Sequence, residues 1–411
     1  MNNNFWRSVV SVLSGTATAQ AIPIFGSLFI MRQYVPAEFG IFSAWLGMSM
    51  LLGILLTGRF ETALPIESDG EPRQLAFFST LITSLLAALV AVFVLIALIS
   101  IEIIPAKLQN APAPLLITLV PTGLGFAVTQ TWQSWAAAEG RYRQLSLMRI
   151  VQSAATTLFQ IIAGFFFSSA SSLAIAQFLG IIISVFISFY IMPIKTSYSG
   201  KILSLILRFW QKNIKFPIFS LPADIINAIS FHLPIFIVAN RFGSEAAGLL
   251  ALTMKTLGLP TGLLGSSMLD VFKRYAATNY RERGECRLYY IQTFKLLLFI
   301  SLCFCFIMVP CSEFLFSLVF GSAWRGAGTF AVWLLPLFAL RFIASPLSYM
   351  VYIANKQHLD LIWQLALLGI TFMTLSMHQH KDLAIQTYSF GYSFLYLIYI
   401  FMSYRLSCGI R

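Results

Sequence analysis

Apolar stretches long enough to cross a lipid bilayer recur along almost the whole chain. A transmembrane helix needs about 20 predominantly apolar residues. The hydropathy pattern predicts twelve such helices, separated by polar links. Their predicted limits are 9–31, 38–58, 75–102, 112–137, 146–168, 171–194, 214–240, 244–271, 288–312, 326–354, 359–377 and 383–406. The sequence therefore predicts an all-α integral membrane protein. The long run 326–354 contains two prolines and an arginine, so we expect it to be kinked or tilted.

One link stands out by its length. The segment 195–213 is polar and basic, and six apolar runs lie on each side of it. We therefore predict an N-terminal six-helix lobe over 1–194, a cytoplasmic inter-lobe linker over 195–213 and a C-terminal six-helix lobe over 214–411.

The two halves carry a similar segment at the same position. Residues 31–45 align with residues 239–253 at a shift of 208, which pairs Gly40 with Gly248. Because six helices per half is an even number, both halves insert in the same orientation. The sequence predicts two six-helix bundles related by a parallel pseudo-two-fold repeat, with its axis along the membrane normal.

Composition and charge indicate a membrane location and argue against nucleic acid as a partner. Of 411 residues, 58% are hydrophobic and only 10% are charged, against roughly 25% charged in soluble domains. The net charge of +12 would suggest nucleic acid as a partner of a soluble protein. With the N-terminus inside, however, 20 of the 27 basic residues lie on the cytoplasmic side and 5 outside. This asymmetry is the positive-inside signal, so we predict cytoplasmic termini and no nucleic-acid partner.

Sequence motifs of metal sites and enzymes are missing. The five cysteines form no CxxC pair, and no histidine stands at ligand spacing, so we predict neither a disulfide framework nor a metal site. No Walker A, GxSxG or HExxH motif occurs. We therefore expect a protein that is not an enzyme, needs no cofactor and draws on an ion gradient or on the gradient of its substrate.

Three basic residues lie inside apolar runs. Lys255 is in the middle of its run, Arg341 lies near the middle of 326–354, and Arg149 is about one turn inside the fifth run. Ionisable side chains within a membrane are costly and are functional candidates by default. In a two-lobe transporter they would line a cationic cleft that suits an anionic group such as a pyrophosphate. A structural ion pair or a backbone carbonyl partner is the alternative for each.

Two further pairs combine opposite charges or titratable groups. Arg59 and Glu61 lie at the inner end of the second run, where an interfacial salt bridge and a gating or substrate-binding role both fit. Asp224 and His232 are eight residues apart and share a helix face. A carboxylate and a histidine in this setting are candidates for ion coupling, in which protons exchange for substrate. His232 as a polar bridge between helices is the alternative.

Several stretches resemble the Wzx-type O-antigen and polysaccharide flippases. In the first half these are SGTATAQAIP at 14–23, the segment 32–40 and TGRFETAL at 57–64. In the second half they are 216–217, 227–228, 233–234, 242–248 and 257–260. This family belongs to the multidrug/oligosaccharidyl-lipid/polysaccharide exporter (MOP) superfamily. The resemblance covers about the first 66 residues and 216–273, and extends elsewhere only by hydropathy.

The resemblance implies a function and a set of partners. It implies a flippase in the bacterial inner membrane that moves an undecaprenyl-pyrophosphate-linked oligosaccharide from the cytoplasmic to the periplasmic leaflet. Alternating access, with ion antiport as a candidate coupling, would be the mechanism. A polysaccharide polymerase and a chain-length regulator would be protein partners. The family's cationic cavity suits Lys255, Arg341 and Arg149, and its Gly-Arg-aromatic-Glu segment is matched by Arg59 and Glu61.

Two other functions compete with the flippase. A drug or cation exporter of the same superfamily would favour carboxylates within the membrane, whereas the deepest charges here are mostly basic. A membrane polymerase or ligase acting on the same lipid-linked sugars would need a sizeable outer loop with catalytic residues. The predicted outer links are too short for that.

Overall fold

The fold is a succession of long helices with short connections. The computed structural model describes residues 3–64, 67–100, 112–192, 202–262, 283–354 and 356–409, together with 268, 269, 272, 276, 279 and 280. No strand occurs among these residues. The helices are α1 (Asn3–Gln33), α2 (Pro36–Thr57), α3 (Glu71–Ser100), α4 (Ala113–Ala138), α5 (Tyr142–Phe166), α6 (Ala170–Ile191), α7 (Ile202–Lys212), α8 (Leu221–Phe242), α9 (Ser244–Pro260), α10 (Arg287–Phe320), α11 (Arg325–Leu347), α12 (Gln357–Met377) and α13 (Lys381–Ser407).

Each of the twelve predicted runs contains one of these helices, and α7 is additional. Within the described residues, seven helical segments are by themselves long and apolar enough to cross a membrane. They are α2, the part Glu71–Leu98 of α3, α4, α5, α6, α10 and the segment Ser322–Leu347 that contains α11. The apolar parts Phe231–Phe242 of α8 and Ile362–Met377 of α12 are shorter, and α9 has only 17 residues. Much of 263–271, at the end of the predicted run 244–271, lies outside the described residues.

The structure adjusts three of the predicted boundaries. The run 326–354 is interrupted: α11 ends at Leu347, and a one-turn helix, Met350–Ile353, follows it. Helix α11 thus continues through both of its prolines, Pro336 and Pro346, before it ends. The run 214–240 begins as a π-helical turn, Phe216–Ser220. The run 288–312 is too short, since α10 continues to Phe320 through Pro310.

The chain forms two compact units. Unit 1 comprises 1–34 and 42–229, and unit 2 comprises 35–41 and 230–411. The lobes inferred from the sequence, 1–194 and 214–411, are drawn from the long polar link at 195–213 and stay a prediction.

Aromatic packing holds unit 1 together. Helices α1 and α6 both pack on α5, and α4 packs on α6. Phe77 of α3 contacts both Trp132 and Trp135 of α4, with ring centroids 4.7 and 5.3 Å apart. The indole N–H of Trp45 donates to the carbonyl of Leu115 at 2.8 Å, which ties α2 to the start of α4. These ring contacts and the hydrogen bond of Trp45 join α2, α3 and α4 within unit 1.

Unit 2 is built around α11, which packs on α9, α10 and α13. Thr253 of α9 donates to the carbonyl of Ala327 on α11 at 2.9 Å. The hydroxyl of Tyr290 on α10 donates to the carbonyl of Ile400 on α13 at 2.8 Å. These side-chain bonds satisfy polar groups that lipid cannot satisfy.

Helix α7 lies in the segment predicted as the inter-lobe linker; residues 195–201 of that segment fall outside the described residues. Phe209 of α7 is buried against Phe60, with centroids 5.6 Å apart. The indole N–H of Trp210 donates to Thr83 at 2.9 Å. Lys212 forms an ion pair with Glu67 at 2.7 Å. The described part of this segment is therefore an amphipathic helix that packs within unit 1. Its charged residues lower the mean hydropathy of the segment, so the hydropathy profile did not predict a helix here.

A reciprocal glycine contact lies in unit 2, where the first turn of α2 meets the first turn of α9. A Cβ on Gly40 would lie 2.7 Å from the nitrogen of Gly248, and a Cβ on Gly248 would lie 3.0 Å from the nitrogen of Gly40. The first would also collide with the carbonyl of Ser244, and the second with that of Pro36. Gly40 and Pro36 are related to Gly248 and Ser244 by the shift of 208. Reciprocity of this kind is the mark of a local two-fold relation.

Candidate functional site

The site in unit 1 begins with a left-handed turn after α2. Gly58 and Arg59 have φ angles of +56° and +63°. Arg59 is the one described residue other than glycine with positive φ, and such a conformation costs free energy that the surroundings must offset. The backbone N–H of Arg59 donates to the hydroxyl of Thr57 at 3.2 Å. The turn ends the transmembrane helix and directs the chain into the short 3₁₀ helix Phe60–Ala63.

The guanidinium of Arg59 is shared between two carboxylates. Its Nη1 lies 2.9 Å from Oε1 of Glu61, and its Nε lies 2.6 Å from Oδ2 of Asp224 at the start of α8. Gln130 of α4 also donates to Oε1 of Glu61, at 2.9 Å. The side chain of Glu61 is 1% exposed, whereas that of Asp224 is 33% exposed. Glu61 is thus the fixed partner of Arg59, and Asp224 is the partner that solvent can reach.

Helix α4 brings Arg149 to the same neighbourhood. The Nε of Arg149 donates to Oε1 of Gln133 at 3.2 Å. Gln130 and Gln133 are three residues apart and therefore neighbours on one helix face. One face of α4 thus holds Glu61 through Gln130 and Arg149 through Gln133. Two arginines and two carboxylates meet here, so the cluster is formally neutral rather than cationic when both acids are ionised.

The buried acid predicts a distinct pH dependence. Burial raises the pKa of Glu61 above its ordinary value of 4.5, and the neighbouring Arg59 partly offsets the rise. A raised pKa means that the folded protein holds the proton more tightly than the unfolded chain does. The stability due to Glu61 is therefore present below pH 4.5 and is lost as the pH rises through the raised pKa.

We expect Glu61→Gln to remove the loss of stability that Glu61 causes as the pH rises. The melting temperature of the detergent-solubilised variant relative to wild type should increase as the pH is raised from about 4.5 to 8. The loss of the ion pair with Arg59 shifts the variant's curve but does not reproduce this trend. Glu245→Gln, at an exposed position of α9, is the control and should follow wild type. Parallel curves for wild type and Glu61→Gln would contradict the prediction.

In unit 2 the predicted residue Lys255 has an exposed side chain on an otherwise buried stretch of α9. Leu250, Ala251, Leu252 and Thr253, which precede it, and Leu257, which follows it, are all buried. The side chain of Lys255 is therefore left uncovered by the residues that pack α9 against α11.

The second predicted cation of unit 2, Arg341, lies beside a row of tyrosines. Its guanidinium carbon is 5.9 Å from the centre of the Phe338 ring, and its charge interacts with Tyr388, Tyr392 and Tyr396 on α13. The three tyrosines recur every four residues, so they share one face of that helix. Tyr388 and Tyr392 are buried, and the hydroxyls of Tyr392 and Thr371 are hydrogen-bonded at 2.6 Å. The row therefore backs Arg341, and the guanidinium is the group that can bind an anionic or hydroxyl-rich ligand.

His232 and Asp224, predicted as an ion-coupling pair, both lie on α8. His232 is half-buried and packs edge-on against Phe231, with ring centroids 5.1 Å apart. Asp224 is the counter-ion of Arg59. A role for either residue in ion coupling stays a prediction.

Four of the seven predicted residues meet in one cluster of unit 1: Arg59, Glu61, Arg149 and Asp224. Sequence reasoning missed Gln130 and Gln133, which position them, and the tyrosines beside Arg341. The spacing of the glutamines by three and of the tyrosines by four was a usable signal. Within the residues that the structure describes, no group of three or more histidine, cysteine or acidic side chains is arranged to hold a metal ion.

Comparison with solved structures gives the class of protein. The lipid II flippase MurJ, in its inward closed conformation, aligns with a TM-score of 0.71 and 14% identity over 96% of this chain and 87% of that chain. An inward-facing multidrug resistance MATE transporter of the MOP superfamily aligns with a TM-score of 0.60 and 14% identity, covering 96% and 93%. A MATE transporter of Vibrio cholerae aligns at 0.54 and 14%, covering 97% and 95%. The chain thus has the MOP-superfamily fold, a multi-pass membrane protein with about twelve transmembrane helices in two six-helix bundles.

Comparison of the sequence with family models assigns the chain to a family. A family model described as polysaccharide biosynthesis protein matches residues 30–328. The chain belongs to this family, and the resemblance to polysaccharide flippases inferred from the sequence is confirmed. No curated protein sequence matches the chain.

Proposed function

We propose that this protein is a flippase for an undecaprenyl-pyrophosphate-linked oligosaccharide, an O-antigen unit or a related polysaccharide repeat unit. It carries the lipid-linked unit from the cytoplasmic to the periplasmic leaflet of the bacterial inner membrane by alternating access, with both termini in the cytoplasm. Membership of a polysaccharide biosynthesis family and a fold shared with a lipid II flippase support this substrate class. The polymerase and chain-length regulator of the same polysaccharide are the expected protein partners.

The observation that carries the proposal is the pairing of Arg59 with Asp224, a carboxylate that a substrate could displace. Its guanidinium is held by the buried Glu61 and by the more exposed Asp224. A pyrophosphate presents several anionic oxygens, and guanidinium groups bind such oxygens in a bidentate manner. The substrate would displace Asp224 while Glu61 keeps Arg59 in place. Arg149, held by Gln133, would supply a second guanidinium.

Residues of unit 2, taken by themselves, carry chemistry that suits the same class of substrate. Lys255 is a cation that its neighbours on α9 leave uncovered, which suits phosphate or acidic sugars. The guanidinium of Arg341, backed by the buried Tyr388 and Tyr392, suits the hydroxyls and acidic groups of sugars. We therefore assign phosphate contact to Lys255 and sugar contact to the neighbourhood of Arg341.

Asp224 and His232 are the residues that we propose for ion coupling. In an antiport the coupling cation and the substrate occupy the protein alternately. Asp224 and His232, both on α8, would bind the coupling cation after the substrate has left.

A multidrug or cation exporter is the second candidate. The buried carboxylate of Glu61 is the feature that favours it, because a buried acid suits a cationic substrate. The MATE fold is compatible with either substrate.

The test uses the cell in which the protein is made. Deletion of its gene should trap the lipid-linked unit in the cytoplasmic leaflet and abolish the surface polysaccharide, with no change in resistance to cationic drugs. Wild type should restore transfer, and Arg59→Ala should not, at equal membrane levels. If the unit still crosses but remains unpolymerised, the protein is a polymerase. If only drug resistance changes, it is an exporter.

A further inference from the structure

A pocket on unit 2 contains none of the candidate site residues described above. It is formed where α10 and α11 pack together, close to the end of α10, and its volume is about 450 Å³. That volume falls within the range of small-molecule sites. Its polar residues include Glu313 and Arg325, and Val309, Phe314 and Val332 supply apolar walls.

The two charged residues hold each other across the pocket. Nε of Arg325 lies 3.1 Å from Oε2 of Glu313, and the hydroxyl of Thr329 donates to Oε1 of Glu313 at 3.0 Å. Among the described residues, the hydrogen bonds of Arg325 use Nε alone, which leaves its two Nη groups for a ligand. The side chains of Glu313 and Arg325 are 44% and 72% exposed, so both charges are accessible.

The backbone beneath the pair is held firmly. Gly328 of α11 packs so closely on α10 that a Cβ there would lie 2.5 Å from the Cα of Glu313. Ser312 donates to the carbonyl of Gly328 at 3.0 Å. The pocket is therefore largely preformed, and a ligand would not have to order it.

Position and surroundings show where a ligand would come from. Helix α10 has 34 residues, about 51 Å at 1.5 Å per residue, which exceeds the hydrocarbon thickness of about 30 Å. Glu313 is seven residues before its end, about 10 Å along the helix axis. A helix about 20 Å longer than the hydrocarbon layer extends into the head-group region at its ends. Val309 and Phe314 are 55% and 67% exposed on a helix whose flank is largely unburied, and an exposed apolar flank of this kind suits contact with lipid.

We propose that this pocket binds a zwitterionic phospholipid with a primary ammonium head group, of the phosphatidylethanolamine class. The lipid phosphate accepts hydrogen bonds from the Nη groups of Arg325, and the ammonium donates to the carboxylate of Glu313. The glycerol and first acyl carbons lie on Val309, Phe314 and Val332. The proposal requires a membrane protein but is independent of the substrate that the protein transports.

Charge complementarity selects this head group over the other common ones. An anionic lipid would satisfy Arg325 but place a second negative charge beside Glu313. A free cation would satisfy Glu313 but place a second positive charge beside Arg325. A choline head group carries the right charges, but its quaternary nitrogen has no N–H to donate. Only a head group with a phosphate and a primary ammonium satisfies both side chains with hydrogen bonds.

The test measures lipid binding to the purified full-length protein by native mass spectrometry. Phosphatidylethanolamine, phosphatidylcholine and phosphatidylglycerol with identical acyl chains are the probes. We expect wild type to bind phosphatidylethanolamine about fivefold more tightly than the other two, as for an exposed pair of charged contacts. Glu313→Gln should abolish the preference over phosphatidylcholine, and Arg325→Gln should weaken both zwitterionic lipids. Glu245→Gln and Lys381→Gln, at exposed helix starts, are matched controls and should behave as wild type.

A second measurement guards against a folding defect. Phosphatidylethanolamine should raise the melting temperature of wild type more than that of Glu313→Gln, because a ligand stabilises only the state that binds it. Equal preferences in wild type and Glu313→Gln, or tighter binding of phosphatidylglycerol than of phosphatidylethanolamine by wild type, would overturn the proposal and leave Glu313 and Arg325 a structural ion pair.

Discussion

Gly40→Ala and Gly248→Ala are each expected to destabilise the protein by about 1–3 kcal/mol, the usual cost of overpacking. Alanine inside a helix normally stabilises relative to glycine by roughly 0.5–1 kcal/mol, so the expected sign is reversed here. The reason is that each new methyl group meets backbone atoms of the opposite helix: Ser244 and Gly248 in one case, Pro36 and Gly40 in the other. Backbone atoms cannot rotate away as a side chain can, so α2 and α9 must separate.

The measurement is the melting temperature of each variant in detergent, together with its surface polysaccharide in cells. Gly369→Ala is the matched control, because nothing lies within 4 Å of a Cβ at Gly369 in α12. We expect this control to be neutral or more stable than wild type. Stabilities of Gly40→Ala and Gly248→Ala that match the control would contradict the reciprocal contact.

The double variant separates one shared contact from two unrelated defects. If both glycines serve the same helix crossing, the first alanine already moves the helices apart and the second costs less. The double variant should then be clearly less destabilised than the sum of the two single variants. Simple additivity would mean that the two positions act independently.

Lys255→Ala and Arg341→Ala are expected to reduce transfer of the lipid-linked unit at least tenfold without loss of membrane levels. A hydrogen bond between charged groups is worth about 1.5–3 kcal/mol, and each 1.4 kcal/mol is a factor of ten. Neither truncation is expected to disturb the packing around it, because Lys255 is left uncovered by its neighbours and Arg341 lies beside the ring of Phe338. The leaflet location of the lipid-linked unit in the deletion strain is the readout.

Conservative substitutions test the assigned roles. Lys255→Arg should retain much of the transfer, because a point contact with phosphate tolerates either cation. Arg341→Lys should recover little, because lysine lacks the planar group that stacks on rings and binds in a bidentate manner. Lys381→Ala at the exposed start of α13 should transfer normally. Normal transfer by Lys255→Ala and Arg341→Ala would remove both residues from the substrate path.

Hydropathy predicted the membrane helices well because the bilayer imposes one requirement on every span. All twelve runs contain helices, and the shift of 208 that pairs Gly40 with Gly248 led to two glycines in contact. Helix α7 was missed because its apolar residues cover one face only, so no window of it is apolar throughout. The end of α11 at Leu347 was not predicted, because the apolar run continues past it and prolines are tolerated inside membrane helices.

The site was predicted in part. Charges inside apolar runs identified Lys255, Arg341 and Arg149, and the family motif identified Arg59 and Glu61. The pairing of Arg59 with Asp224 was not predictable, since 165 positions separate them in the sequence and only folding brings them together. The neutral balance of the cluster in unit 1 followed from that pairing. The role of Gln130 and Gln133 in positioning the cluster was not predicted, because uncharged polar residues are common in such helices.

The most direct test of the flippase function is transfer in vesicles that contain only this protein and its lipids. Purified wild type, Arg59→Ala and the double variant Lys255→Ala/Arg341→Ala would be reconstituted with a fluorescent undecaprenyl-pyrophosphate-linked oligosaccharide. Quenching from outside then reports the fraction that has crossed. The account predicts rapid loss of the protected fluorescent fraction with wild type, little with either variant, and no accumulation of a cationic dye in parallel vesicles. Dye accumulation without transfer of the oligosaccharide would contradict it and identify an exporter.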